Sequence, residues 1–271
     1  MDALVDAPLV LDRASSRRGV HVADAADLPW REAGRPGIAL KTVREDRVAG
    51  QFLGLVGFEP LARTGLHQHQ GVATSFFVDG GLTDHAGSAG LHEAGINLAG
   101  ATHDAIAYRR TLLVSRLEAP VTYPPEAGAL SDLHTGAFHA RIAVPDPDAP
   151  PDLNVRVDAL AAEPLAVPGA TRRLVFDYAR TGSAHRMTQL SLRPGTVLPA
   201  FETGALLELW VRGGAITVDG RGAHANCFVV VEPGACPRIA SPYGAVLLAW
   251  SEGPMRWLDE TPAAAGDLFG F

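Results

Sequence analysis

Two cysteines in a chain of 271 residues cannot build a disulfide framework, and Cys227 and Cys236 read as small buried thiols. Apolar runs are short as well. The longest, such as GAVLLAW at 244–250, have the length of a strand and fall well below the roughly 20 residues of a membrane-spanning helix. Lys and Arg never cluster beyond a dipeptide and the formal net charge is −7, which excludes nucleic acid and anionic membranes as partners. A basic leader is also missing: the chain starts MDALVDAPLVLDR, acidic where a secretory signal is positive, so a cytoplasmic location is expected. Small molecules and proteins remain as partners, the latter including a second copy of the chain in a homodimer.

Turn chemistry, by contrast, is abundant. With 29 Gly and 20 Pro in a chain that is 47% hydrophobic and 20% charged, the composition is that of a globular protein made of many short strands, and the length suits two domains. Residues 1–28 read as an extended lead-in without a strong period. The first firm strands are IALKTV and QFLGLVGF, and a first barrel spans 29–143. The stacked prolines and aspartates of VPDPDAPPD, residues 144–152, cannot join a ladder and read as a linker. A second barrel covers 153–260, and 261–271 form a tail.

The two halves repeat each other. HQGVATSFFVDGG (His69–Gly81) overlays ETGALLELWVRGG (Glu202–Gly214) at an offset of 133, and GATHDAIAYRRTLLVSRLEAP (Gly100–Pro120) overlays GACPRIASPYGAVLLAWSEGP (Gly234–Pro254) at 134. Agreement of glycine-bounded blocks at nearly one offset predicts two all-β barrels of like topology.

The chemistry is concentrated in RTGLHQHQGVATSFFVDGGLTD, Arg63–Asp84. Side chains two apart on a strand share a face, so His67 and His69 aim at one point. His103 follows a second glycine turn in INLAGATHDAI. Three imidazoles at this spacing suggest one divalent metal per chain. In the overlay their positions become Ala200, Glu202 and Pro237, which leaves the second barrel a scaffold without the site. Glu93, Asp104 and Tyr108 lie near enough in sequence to hold a ligand imidazole or wall its cavity, although an exposed loop acid is the plainer reading of both carboxylates. His85 and His92 read as loop histidines, and His134 and His139 as surface ones whose role stays open. Phe76, Phe77 and Trp210 read as core. A zinc cluster of His224, Cys227 and Cys236 is disfavoured because FVVVEPG between the cysteines is strand and turn.

The H-x-H pair, the glycine-bounded strands and the later G-x-x-H resemble the cupin superfamily, small antiparallel jelly-roll barrels with a metal in the mouth. The resemblance implies two tandem cupin barrels. Many cupins add a glutamate ligand seven residues before the turn glycine; here that position is Ala73, or Thr74 in the neighbouring register. The site therefore resembles the three-histidine variety of cysteine dioxygenase, acetylacetone dioxygenase and 2,4'-dihydroxyacetophenone dioxygenase, and also the cupin half of zinc anti-sigma factors. By this resemblance the metal is Fe(II) first and Zn(II) next, with O₂ as co-substrate if iron is bound. The function implied is a dioxygenase acting on a small hydroxyketone or diketone. The alternatives are a zinc-loaded sensor of regulatory type and a metal-dependent isomerase or hydrolase.

Overall fold

Glycine-rich turns cut the chain into strands of between two and twelve residues, paired in antiparallel fashion throughout. The computed structural model describes residues 19–84, 87–123, 154–181, 183–258 and 266–271. It is 56% strand and 2% helix. No helix among the described residues is long and apolar enough to cross a membrane. Two compact units divide the described chain: residues 28–158 form one, and 19–27 with 159–271 form the other.

In the first unit, seven strands run in the order Asn154–Arg156, Glu93–Asn97, Ala73–Asp79, Thr111–Leu117, Gln51–Phe58, Ile38–Asp46 and Arg31–Glu32. A smaller sheet places His67–His69 between Thr102–His103 and Val121–Thr122. Alternation sets the interior: Phe77 lies opposite Leu113 and Leu113 opposite Val56, and these join Ile38, Phe58, Ala62 and Ala107 in one apolar cluster. The second unit is built around Leu207–Val218, which pairs with Cys227–Val231 on one side and Ala245–Ser251 on the other. Its interior is a larger cluster that includes Leu207, Leu209, Val211, Val229, Val231, Leu247 and Ala249.

The repeat is real, and its spacing is a single 134 residues. Backbone bonds recur at that offset: Thr64 N to Ala105 O becomes Leu198 N to Ile239 O, and His69 N to Ala101 O becomes Thr203 N to Ala235 O. Gly100 N to His69 O becomes Gly234 N to Thr203 O, and Glu118 N to Val72 O becomes Glu252 N to Leu206 O. The offset of 133 expected for the first block is therefore one residue short. Its cause is the doubled glycine that closes both strands, which slides by one without penalty in a sequence overlay. Backbone conformation removes the ambiguity, since Gly80 (φ 73°) matches Gly214 (φ 76°), each pressed so close to the neighbouring strand that a Cβ has no room. His67, His69 and His103 thus correspond to Phe201, Thr203 and Pro237, not to Ala200, Glu202 and Pro237. One slipped residue on a strand exchanges its faces, so the correction matters for every comparison of the interiors.

Two segments sit elsewhere than the sequence suggests. Val20–Asp24, within the stretch read as a lead-in, pairs with Cys227–Val231 and sends Val20 and Val22 into the second interior. Residues 144–152 lie outside the described residues, yet beyond them Asn154–Arg156 pairs with Glu93–Gly95 of the first unit, so the unit boundary follows Asp158.

Candidate metal centre

Strand pairing brings the three histidines together. His103 lies directly opposite His67, and Val121 opposite His69. On the reverse face the amide of Gln68 donates to Gly100 O (3.3 Å) and Thr102 Oγ1 (3.2 Å), and that of Gln70 to Thr122 Oγ1 (2.8 Å), which fixes the register of this short sheet. His67 and His69 are each only 5% exposed. Ring centroids are 5.0 Å apart for His67 and His69, 4.6 Å for His67 and His103, and 5.2 Å for His69 and His103. One nitrogen from each ring falls within 4.8 Å of the others.

The remaining nitrogens are occupied in a way that selects the tautomer. His67 Nδ1 is 2.8 Å from Gly65 O, and His103 Nδ1 is 2.8 Å from Asp84 Oδ2. Both partners accept only, so both rings donate from Nδ1 and their Nε2 lone pairs face the common centre. His69 Nε2 and His103 Nε2 approach to 3.1 Å there. Burial, followed by the neighbouring His103, pushes the pKa of His67 down to about 4, and burial, followed by His67 and His103, pushes that of His69 down to about 2. Three converging imidazoles, two of them backed by a carbonyl and a carboxylate, are a donor set that fits a divalent metal ion of the Fe, Zn, Ni or Cu type.

Of the residues expected to support the histidines, Asp104 does so at one remove. Its Oδ1 accepts from Gly65 N (3.1 Å), its other oxygen pairs with Arg63, and it thereby holds the loop whose carbonyl orients His67. Glu93 instead accepts from Gly90 N (2.8 Å) at the tip of the next hairpin. Tyr108 is 65% exposed, contrary to a place in the cavity wall. Phe76, Phe77 and Trp210 are buried as expected. His92 is an exposed turn residue with φ 64°, 3.4 Å from Asp158. His85, His134 and His139 lie outside the described residues. Cys227 is buried, whereas Cys236 is exposed, against the reading of both as buried thiols.

Three neighbours escaped the sequence reading. Asp84 ends the strand Gly81–Asp84 and reaches His103 because Thr83 bridges to Ile106. Arg35 lies with its guanidinium 4.0 Å over the ring of Tyr123, and Tyr123 lies 5.9 Å from the ring of His67. The repeat carried a usable signal for Asp84: at the true offset its counterpart is Val218, a buried core residue.

Comparison with known proteins bears on the fold that carries this site. Residues 18–120 match the ChrR Cupin-like domain family. No curated protein matches the sequence. Among solved structures, a Nostoc punctiforme protein provisionally described as a dioxygenase superposes with a TM-score of 0.66 at 12% identity, over 92% of this chain and 86% of that one. Oxalate decarboxylase from Bacillus subtilis superposes with a TM-score of 0.59 at 13% identity, over 88% and 78%. A tryptophan-to-tyrosine variant of the same enzyme gives 0.58 at 14% identity, over 88% and 79%. At such identities the likeness is one of fold.

Proposed function

We propose that this chain is a cupin of two barrels and that its first barrel is a mononuclear non-haem iron(II) dioxygenase site that takes a small hydroxyketone or diketone. The observation that carries the reading is the donor set itself: His67, His69 and His103 converge with no carboxylate among them. Bound there, iron(II) would supply the electrons that make O₂ reactive, and its undiminished double charge would favour a substrate chelating through adjacent oxygens as an anion.

The chain's own residues suit such an anion. The Arg35 guanidinium lies 4.0 Å over the Tyr123 ring, which places a cation and a flat wall beside His67. On the interior face, Ala73, Ser75, Gly95, Asn97 and Ser115 are all small or polar, and Ser75 and Asn97 keep partial solvent exposure inside the barrel. That combination supports a substrate placed beside the histidines. Burial of His67 and His69 excludes water from the metal's protein side.

A second reading, a zinc-loaded regulatory cupin, is favoured by the match of residues 18–120 to the ChrR Cupin-like domain. Oxygen consumption separates the two. The chain loaded anaerobically with iron(II) is expected to consume O₂ with at least one member of a broad panel of diketones and hydroxyketones, and the zinc-loaded chain with none. An iron-loaded chain inert toward the whole panel gives preference to the regulatory reading.

A further inference from the structure

The second unit lacks the three histidines but assembles another set of donors at a different place. Asp24 ends the strand Val20–Asp24, Cys227 begins Cys227–Val231, and the two residues are direct partners across the ladder. His224, the last residue of Arg221–His224, closes over them from the adjoining hairpin. One donor atom of each falls within 4.8 Å of the others. The grouping crosses three elements, so neighbouring sequence alone does not reveal it; the trio His224, Cys227 and Cys236 omits the aspartate.

Hydrogen bonding at this cluster has the same logic as at the first site. His224 Nδ1 lies 3.0 Å from Ala225 O, an acceptor only, so the ring donates from Nδ1 and a neutral ring presents its Nε2 lone pair outward. His224 Nε2 lies 3.3 Å from Asp24 Oδ2, an ion pair when the ring carries a proton and a pair of ligand atoms when a cation replaces that proton. Asp24 Oδ1 is held separately by Ala26 N (2.8 Å), which aims the second oxygen at the ring. Beside them the thiol of Cys227 receives a backbone hydrogen bond from His224, the kind of bond that supports a thiolate. The Asp24 carboxylate beside the Cys227 sulfur favours a cation placed between the two.

We infer that Asp24, His224 and Cys227 form a second divalent-cation site, of the zinc type, that clips the strand Val20–Asp24 to the second barrel. A carboxylate, an imidazole and a thiolate are the three donor classes that zinc accepts, and the exposure of His224 leaves a fourth position to water. On binding, the Cys227 thiol loses its proton to solvent and its sulfur becomes a ligand. The inference is independent of what the three-histidine site does.

Cobalt(II) distinguishes the sites, because only a sulfur-ligated cobalt gives an intense near-ultraviolet thiolate-to-metal charge-transfer band, and the first site has no sulfur. The metal-free full-length chain titrated with Co(II) is expected to develop that band. His67→Ala and Cys236→Ser keep it, and Cys227→Ser abolishes it. Asp24→Asn and His224→Ala change more exposed positions and are expected to keep the wild-type circular dichroism while weakening Co(II) binding at least about ten-fold. Absence of the band from the wild type overturns the site, as does its persistence in Cys227→Ser. Wild-type affinity in both Asp24→Asn and His224→Ala, with the fold intact, overturns it even if Cys227→Ser fails to fold.

Discussion

Ala73, Ser75, Gly95, Asn97 and Ser115 of the first barrel stand where the second has Leu207, Leu209, Val229, Val231 and Ala249, each numbered 134 above its counterpart. The ladders agree pair by pair: Ser75 faces Gly95 and Ser115, and Leu209 faces Val229 and Ala249. The second set is fully buried in one aliphatic cluster. Burying a Leu or Val side chain stabilises by about 1.5–3 kcal/mol, and trimming a core Leu to Ala costs about 2–5 kcal/mol. The first barrel forgoes that stabilisation at these positions and carries three histidines on its smaller sheet. A common scaffold has thus been filled in one half and opened in the other, the pattern expected when one barrel carries the chemistry.

The largest effect expected from this contrast is at the ligands. His67→Ala and His103→Ala are expected to lose the stoichiometric metal that can be loaded into the wild-type first barrel, with unchanged circular dichroism. Neither imidazole belongs to the apolar cluster, so its removal takes no support from the core. The matching change in the second barrel, Pro237→Ala, is expected to leave that metal untouched. Elemental analysis of the dialysed proteins reads both, and a metal content in both histidine variants equal to that of the wild type breaks the assignment.

A smaller but sharper test moves the filled interior into the open one. Ser75→Leu installs the residue of Leu209, and Ala73→Glu offers the fourth ligand that many cupins carry. Ala73 shares a face with Ser75 and Phe77, and Phe77 is part of the interior cluster, so both changes point inward. Each variant is expected to retain its metal. Turnover of whichever diketone or hydroxyketone the wild type consumes is expected to fall by about 100-fold, since loss of productive substrate placement has effects of that order. Equal turnover by wild type and both variants would mean that these positions do not bound the substrate.

Much of this was legible in the sequence because it is written in short-range patterns. H-x-H needs only the two-residue period of a strand to aim His67 and His69 together, and the glycine-bounded repeat predicts the second barrel. What the sequence concealed depends on pairing across long separations. Asp84 meets His103 only through the Thr83–Ile106 bridge, Arg35 meets Tyr123 only after folding, and Asp24 joins His224 and Cys227 only because an N-terminal strand adds to a distant ladder. The one-residue slip in the repeat had a local cause, a doubled glycine, and the recurring backbone bonds and the positive φ shared by Gly80 and Gly214 resolve it.

The smallest expected effect concerns Asp84, whose counterpart in the second barrel is the core residue Val218. The carboxylate accepts the Nδ1 proton of His103 at 2.8 Å, which holds the ring in the tautomer with Nε2 free and raises the electron density that Nε2 offers. Asp84→Asn preserves shape and an accepting oxygen but removes the charge, and is expected to weaken metal binding by about ten-fold. Asp84→Val, the second barrel's own choice, removes the acceptor as well and should approach about 100-fold, the upper end for loss of such a partner. Competition with a chelator of known affinity measures both, and the order of the two variants is the informative result. Equal, wild-type affinities would show that His103 needs no partner at Nδ1, and that the carboxylate at position 84 does not account for why the three-histidine centre belongs to one barrel alone.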